Sequence, residues 1–373
     1  MRYIWQDKKW PHLRWDSGPL LSLISRARLD QGKLLTKVTA LGFRLSREAR
    51  ADILTEEAVK TSAIEGERLN RDSVRSSVAR HLGLPTAGLA PANRSVDGLV
   101  DLLLDATQNY DQPLTVARLR RWQAALFPTG YSGLMKIHAG RWRGHEHPMQ
   151  VVSGGVGREK VHYEAPPGEQ VEKEMGRFLS WWKTSRGREE GLLRSGLAHF
   201  YFVTIHPFED GNGRIARALT DMALTQDEKL ATRYYSLSSQ IMEERENYYA
   251  VLESSQKGST DVTEWLTWYL GCYSRSVEKA EKLIADVLAK AEFWKRRNEA
   301  GINERQRKVV NRLLDAGRGE FQGGLTTRKY VSMAKVSRAT AFREISDLLE
   351  KGILRQNPAK GRSASYNLNW ANR

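Results

Sequence analysis

A single cysteine, Cys272, in 373 residues cannot form an internal disulfide, and nothing around it suggests a metal site. Long apolar runs are missing as well. No stretch approaches the roughly 20 apolar residues that cross a bilayer, and the opening MRYIWQDKKWPHLRWD lacks the apolar core of a secretory signal. These absences argue against a membrane partner and make the cytoplasm the expected location. No internal repeat or low-complexity tract stands out. With 40% hydrophobic and 28% charged residues the composition is globular, and the length allows two or three domains.

Acidic residues are the other shortage. Lys and Arg number 59 against 44 Asp and Glu, a formal net charge of +15. The imbalance gathers at the end of the chain, where residues 296–373 hold 17 basic and 7 acidic side chains, an excess of +10. Such a terminal module suits a polyanion. Its pattern supports that reading. NERQRKVVNRLLDAG, TTRKYVSMAK and RATAFREISDLLEKG read as three helices, the last capped by Ser337 and closed by Gly352, and ILRQNPAKGRSASYNL follows as a hairpin. That is the layout of a winged helix-turn-helix. Arg338, Thr340 and Arg343 would lie on the early exposed face of the third helix, ready for the major groove. Lys360 and Arg362, at the hairpin turn, would meet phosphates or the adjacent minor groove. Ala341, Ile345, Leu348 and Leu349 would fill the interior. Double-stranded DNA is the expected partner, and a protein-docking surface is the other reading.

The rest of the chain is mainly helical by periodicity. Residues 1–16 carry Tyr3, Trp5, Trp10 and Trp15 and read as a strand or arm tied to the body. Apolar spacings of three and four mark helices between 18 and 82, and GLPTAGLAPANRS (83–95) is a loop. Helical patterns return at 96–110 and 115–127, with Thr115 as N-cap, then at 169–183, 189–205, 214–226, 240–256 and 260–290. Between them PMQVVSGGVGREKVHYEAPP reads as one isolated β-hairpin.

The stretch TIHPFEDGNGRIAR (204–217) concentrates chemistry. Turn propensity accounts for its glycines and leaves the histidine, the acid and the two arginines unexplained. If helices flank it, Gly211, Asn212 and Gly213 lie at a helix N-terminus, whose free N–H groups and dipole favour an anion such as phosphate. Arg214 and Arg217 would add guanidinium forks on the first turn. Asp210 offers a hard oxygen to Mg2+, which takes one or two carboxylates plus substrate phosphates. His206 titrates near neutrality and suits a base acting on a hydroxyl.

HPFEDGNGRIAR also resembles the signature of the Fic family, His-x-Phe-x-Asp/Glu-Gly-Asn-Gly-Arg-x-x-Arg, at all eight specified positions. The resemblance extends to the hairpin, the helices before it and the Tyr- and Trp-rich helices after it. It implies a mainly α fold, a helical core with a β-hairpin flap, joined to the C-terminal winged helix. It also implies a nucleotidyltransferase that moves AMP from ATP to a Ser, Thr or Tyr hydroxyl of a target protein, or of itself, and releases pyrophosphate. In that scheme His206 is the base, Asp210 holds Mg2+, and Gly211, Asn212 and Gly213 form the anion nest. Arg214 and Arg217 contact the outer phosphates, and Phe208 anchors the loop. The hairpin would be the flap that aligns the target by strand addition, through Val151, Val152, Val161 and Tyr163. Tyr248 and Tyr249 are candidates for the adenine pocket or for core packing. Glu209 has no assigned role.

Upstream, KTSAIEGERL resembles the family's inhibitory pattern, Ser/Thr-x-x-x-Glu-Gly/Asn, through Thr61, Glu65 and Gly66. The resemblance implies that Glu65 pairs with Arg217, takes the place of the γ-phosphate and misaligns ATP; it leaves room for the reverse reaction, removal of AMP. The domain scheme that follows is 1–90 for the arm and inhibitory helices, 91–295 for the catalytic core and 296–373 for the winged helix. Two other functions stay open: a DNA-binding regulator whose Fic core senses nucleotide, and an enzyme transferring another phosphate-containing group such as phosphocholine. A homodimer is compatible with all of them.

Overall fold

The structure, a computed structural model, describes residues 3–39, 43–84, 91–144, 148–153, 160–297, 301–315, 321, 323–358 and 364–370. It separates into two compact units, Met1–Glu281 and Lys282–Arg373.

The first unit is built around α7 (Gly191–Ile205) and α8 (Asn212–Glu228). GLLRSGLAHFYFVTI carries apolar residues all round, so it is stable only when enclosed, and every residue from Leu192 to Ile205 is buried, Arg194, Ser195, His199 and Thr204 among them. Its neighbours are α4 (Arg94–Gln108) on α8, α5 (Val116–Leu126) on α4, and α6 (Val171–Ser185) on α7. Thr115 caps α5 as its sequence suggests, its hydroxyl accepting from the Arg118 N–H at 3.1 Å. α1 (Ser17–Thr39), α2 (Phe43–Ile64) and α3 (Arg71–His81) precede them. The segment expected to be one helix at 240–256 is two, α9 (Leu237–Glu243) and α10 (Arg245–Ser255), separated at Glu244 without a proline or glycine to announce the break. α11 runs Thr263–Arg296.

Residues 3–14 form an arm rather than a regular strand. It is tied at both ends, by Ile4 N–H to Gln256 O (2.9 Å) and by Arg14 N–H to Thr260 O (2.9 Å). Between these ties the indole of Trp10 donates to Glu174 Oε2 at 2.8 Å. Two small hairpins interrupt the helices. β1 (Tyr131–Ser132) pairs with β2 (Met135–Lys136), a hairpin too short to give an alternating sequence signal. β3 (Gln150–Ser153) pairs with β4 (Lys160–Glu164), with Val151 opposite Tyr163 and Val152 opposite Val161.

The second unit holds α12 (Glu304–Asp315), α13 (Thr327–Ala334), α14 (Arg338–Glu350) and the antiparallel pair β5 (Leu354–Gln356) and β6 (Tyr366–Leu368). Leu325 exchanges backbone hydrogen bonds with Tyr366 and extends that pair. Val309, Val310, Tyr330, Ala341, Ile345 and Leu348 form its core, together with Phe293 and Trp294 from the last turns of α11. No helix among the described residues is long and apolar enough to cross a membrane.

Candidate active site

α7 stops at His206, which adopts the left-handed conformation (φ 51°, ψ 59°), while its N–H still reaches Phe202 O at 3.0 Å. The imidazole Nδ1 lies 3.1 Å from Val203 O. A carbonyl can only accept, so Nδ1 carries the proton and Nε2 presents its lone pair. Burial moves the imidazole pKa below its ordinary value; the Val203 bond opposes this and the Arg143 cation adds to it. His206 is therefore neutral at pH 7. Below it, Phe208 is fully buried, its ring 4.7 Å from that of Trp142. The Asn212 amide spans the turn, accepting from Phe208 N–H (2.9 Å) and donating to Phe208 O (2.8 Å). Its side chain thus shapes the loop, and only its backbone faces the helix N-terminus that opens at Gly211 (φ 89°).

Both motif arginines are buried and both meet acids from the end of α2. Arg217 donates from Nε to Thr61 Oγ1 (2.6 Å) and from Nη2 to Thr61 O (2.9 Å) and Glu65 Oε1 (2.6 Å). Arg214 donates from Nη1 to Glu67 Oε2 at 2.9 Å, and its Nε is buried without a protein acceptor. The local fold explains how residues 65 and 67 reach two arginines three apart. Gly66 N–H returns to Ala63 O (3.0 Å) and Glu67 N–H to Ser62 O (3.0 Å), with Gly66 at φ +86°. This paired closure of a helix C-terminus needs a left-handed residue after the cap, hence glycine. Glu65 is then the C-cap itself. On the other side, a Cβ on Gly213 would fall 2.1 Å from Glu65 Oε1, so a side chain there would push the carboxylate from this place.

Asp210 stands at the rim. Ser132 donates to its Oδ2 and Gly211 N–H to its Oδ1, and Arg214 Nη2 is 3.8 Å away. An open cleft of about 740 Å³ spreads from there, lined by Glu65, Glu67, Arg94, Tyr131, Asp210 and Arg214 among others. No group of three or more His, Cys, Asp or Glu fit to hold a metal exists among the described residues. One accessible carboxylate suits a magnesium ion that arrives with substrate phosphates, and does not suit a protein-built metal cage. Glu209 accepts from the His138 backbone N–H (2.9 Å) and pairs with its ring (2.8 Å).

The four hairpin residues divide between two faces. Val152 (49%) and Val161 (39%) are exposed and Val151 is half-buried. Tyr163 is buried, its hydroxyl donating to Thr204 O at 2.6 Å. Tyr248 is buried against Trp265 and Trp268 and hydrogen-bonded to His199 Nε2 at 3.0 Å, which is a packing environment. Tyr249 is half-buried beside Arg245, with its hydroxyl on Ile64 O at 3.1 Å.

In the second unit Ser337 caps α14, its hydroxyl accepting from Thr340 N–H at 3.2 Å. Arg338 and Arg343 are exposed, Thr340 is half-buried, and Ala341, Ile345 and Leu348 are buried as their spacing requires. Lys360 and Arg362 lie outside the described residues. Sequence reasoning passed over Phe342, which is 62% exposed beside Arg343. It also passed over Glu67, Ser132 and Arg143. Glu67 alone had a signal, an acid two residues after Glu65.

A model of the Fic/DOC family matches residues 113–224, so the chain carries a Fic/DOC domain there; a domain of unknown function, DUF4172, matches residues 3–84. The chain is 24% identical over 225 residues to a protein adenylyltransferase Fic of Nematostella vectensis, covering 58% of this chain and 46% of that protein. It is 27% identical over 258 residues to a protein of the same name from Culex quinquefasciatus, covering 67% and 46%. The chain thus spans about half the length of the curated relatives it matches. Its fold is shared with a Fic family protein from Desulfovibrio desulfuricans G20, with a TM-score of 0.55 at 19% identity over 96% of this chain and 98% of that one.

Proposed function

We propose that the protein is an adenylyltransferase that moves AMP from ATP to a protein hydroxyl and is restrained by Glu65. The observation that carries this reading is the grouping of a neutral His206, with Nε2 free, beside a helix N-terminus flanked by two buried arginines. In the proposed step Nε2 takes the hydroxyl proton and the oxygen bonds to the α-phosphorus. The bond from that phosphorus to the β-bridging oxygen breaks, and pyrophosphate leaves. Arg214 and Arg217 hold the β- and γ-phosphates, with the bare Nε of Arg214 one of the donors left for them. Asp210 would orient the magnesium, which neutralises phosphate charge. The arm and inhibitory helices (1–90), catalytic core (91–295) and winged helix (296–373) form its domain scheme. Mass spectrometry of the purified protein after incubation with ATP and magnesium tests it. AMP attached to protein supports the enzyme, and binding of labelled ATP without transfer supports a nucleotide-sensing regulator.

Glu67 is the second restraint in this scheme, because Arg214 must leave it to meet phosphate. Glu67 is 45% exposed, so the pair is worth roughly 0.2–1 kcal/mol. Glu67→Gln should therefore tighten ATP binding by about 1.4- to fivefold, measured by calorimetry. An unchanged affinity would mean that Glu67 does not compete with nucleotide.

The tail is proposed to bind duplex DNA through α14 and its hairpin. In a mobility-shift assay with the full chain, replacing Lys360 and Arg362 should weaken binding to all sequences and lower the salt slope by about 1.8, two phosphate contacts at about 0.9 each. Arg343→Ala should relax sequence preference. No shift with any duplex at low salt would leave the module a protein-docking surface.

A further inference from the structure

An α-helix leaves its last carbonyls without intrahelical donors. At the end of α7 those carbonyls are taken by side chains and backbone from the hairpin region. Tyr163 donates its hydroxyl to Thr204 O at 2.6 Å. Arg143 donates from Nη2 to Ile205 O (3.4 Å), from Nε to His206 O (2.7 Å) and from its backbone N–H to Pro207 O (2.9 Å). The same Nη2 also donates to Pro166 O, two residues past β4. One guanidinium therefore joins the chain leaving the hairpin to the carbonyl of the proposed base.

Nothing about this arrangement is neutral in cost. Arg143 is 5% exposed, and the acid that acts on it, Glu169, attracts it only weakly against the cost of burial. Burial lowers its pKa to about 10. A buried cation with only a distant acid is unfavourable, and here the negative end of the α7 dipole and a row of carbonyls help to offset it. A neutral donor would cap the helix with less penalty. What only a rigid fork does is hold two separate segments at a fixed spacing. His206, a non-glycine residue in left-handed conformation, is one of those segments.

We infer that Arg143 and Tyr163 are positioning residues that lock the β3–β4 hairpin to the His206 loop, so that a hydroxyl presented along the hairpin meets Nε2. The inference rests on the adenylyl-transfer reading. The phosphate-facing groups, Arg214 and Arg217, lie on α8 and touch neither residue, so nucleotide binding and acceptor alignment separate.

The experiment uses the full chain with Glu65→Gly, adding Tyr163→Phe, Arg143→Lys or Arg143→Met. Tyr163→Phe removes one oxygen, and Arg143→Lys keeps the charge while losing the fork. Automodification kcat should fall about tenfold for Tyr163→Phe and about 10²-fold for Arg143→Met, as for a reacting group displaced by about 1 Å. Arg143→Lys should fall between. KM for ATP and calorimetric ATP stoichiometry should not change, which separates misalignment from loss of folded protein. AMP released to water, an acceptor that needs no hairpin, should fall less than AMP attached to protein. Equal losses of both, or wild-type kcat in Arg143→Met, would overturn the inference. If the Glu65→Gly parent transfers nothing, the adenylyl-transfer reading fails, and hydrogen exchange then decides the coupling. Amides of β4 and of residues 206–211 must lose protection together in Arg143→Met, and loss in one segment alone overturns it.

Discussion

Glu65→Gly should raise automodification about 10²-fold over wild type at saturating ATP, the scale on which a misplaced reacting group loses rate. Glu65 Oε1 sits 2.6 Å from Arg217 Nη2, in the space that Gly213 leaves open, and a γ-phosphate in the proposed site needs that same donor. The substitution also leaves Arg217 buried without its carboxylate, held by Thr61 and neighbouring Tyr248. Breaking a fully buried ion pair costs about 3–5 kcal/mol. With Glu65 31% exposed the loss should be smaller, visible as a lower Tm that ATP restores. Equal low activity in variant and wild type, by mass spectrometry after incubation with ATP and magnesium, would remove Glu65 from the restraint.

His206→Ala in the same Glu65→Gly background should lower transfer by about 10²–10⁴-fold, the range of a general base, and leave ATP affinity unchanged. In the proposed step the imidazole acts on the hydroxyl, while phosphate contacts are assigned to α8. A pH profile of the parent adds a second check. Transfer requires neutral His206, whose pKa burial and Arg143 hold below the ordinary value of about 6.5. The rate should therefore stay level as pH falls toward 6.5 and drop only below it. Transfer that survives in the double variant would show that another group takes the proton.

The parts that sequence made legible are those whose causes are local. Thr115 and Ser337 announce helix starts because capping involves residues three apart, and both caps form. The largely apolar α7 and the Gly211–Gly213 turn are likewise local patterns. The break between α9 and α10 leaves no such trace, since Glu244 carries no conformational bias toward stopping. Contacts between distant segments were legible only where a family pattern supplied them. Glu65 meets Arg217 across more than 150 positions, the pairing that the resemblance implies, and Thr61 joins it through a contact the pattern did not assign. Glu67 on Arg214 spans a similar gap, flagged only by being an acid two residues after Glu65. Arg143 binds carbonyl oxygens, which every residue possesses, so no spacing could single out its partners. Tyr163 is instructive in another way. It lies two residues after Val161, so strict alternation would put both on one face. The register shift between Val151 and Val152 breaks that pattern, and Tyr163 turns inward to Thr204 while Val161 stays exposed.

Glu65 and Glu67 are the terminal residues of a helix stop, and helix ends are where structure frays first. Undoing the closure at Gly66 would withdraw both carboxylates in one local event, with the body of α2 left in place. In the proposed scheme the restraint is then a thermal gate with a short throw: its open fraction depends on the melting of a single turn, and it rises with temperature before the rest of the fold responds. A ligand or partner that grips residues 62–67 in the unwound form would activate the enzyme without reaching into the cleft. One that splints the turn would hold it silent.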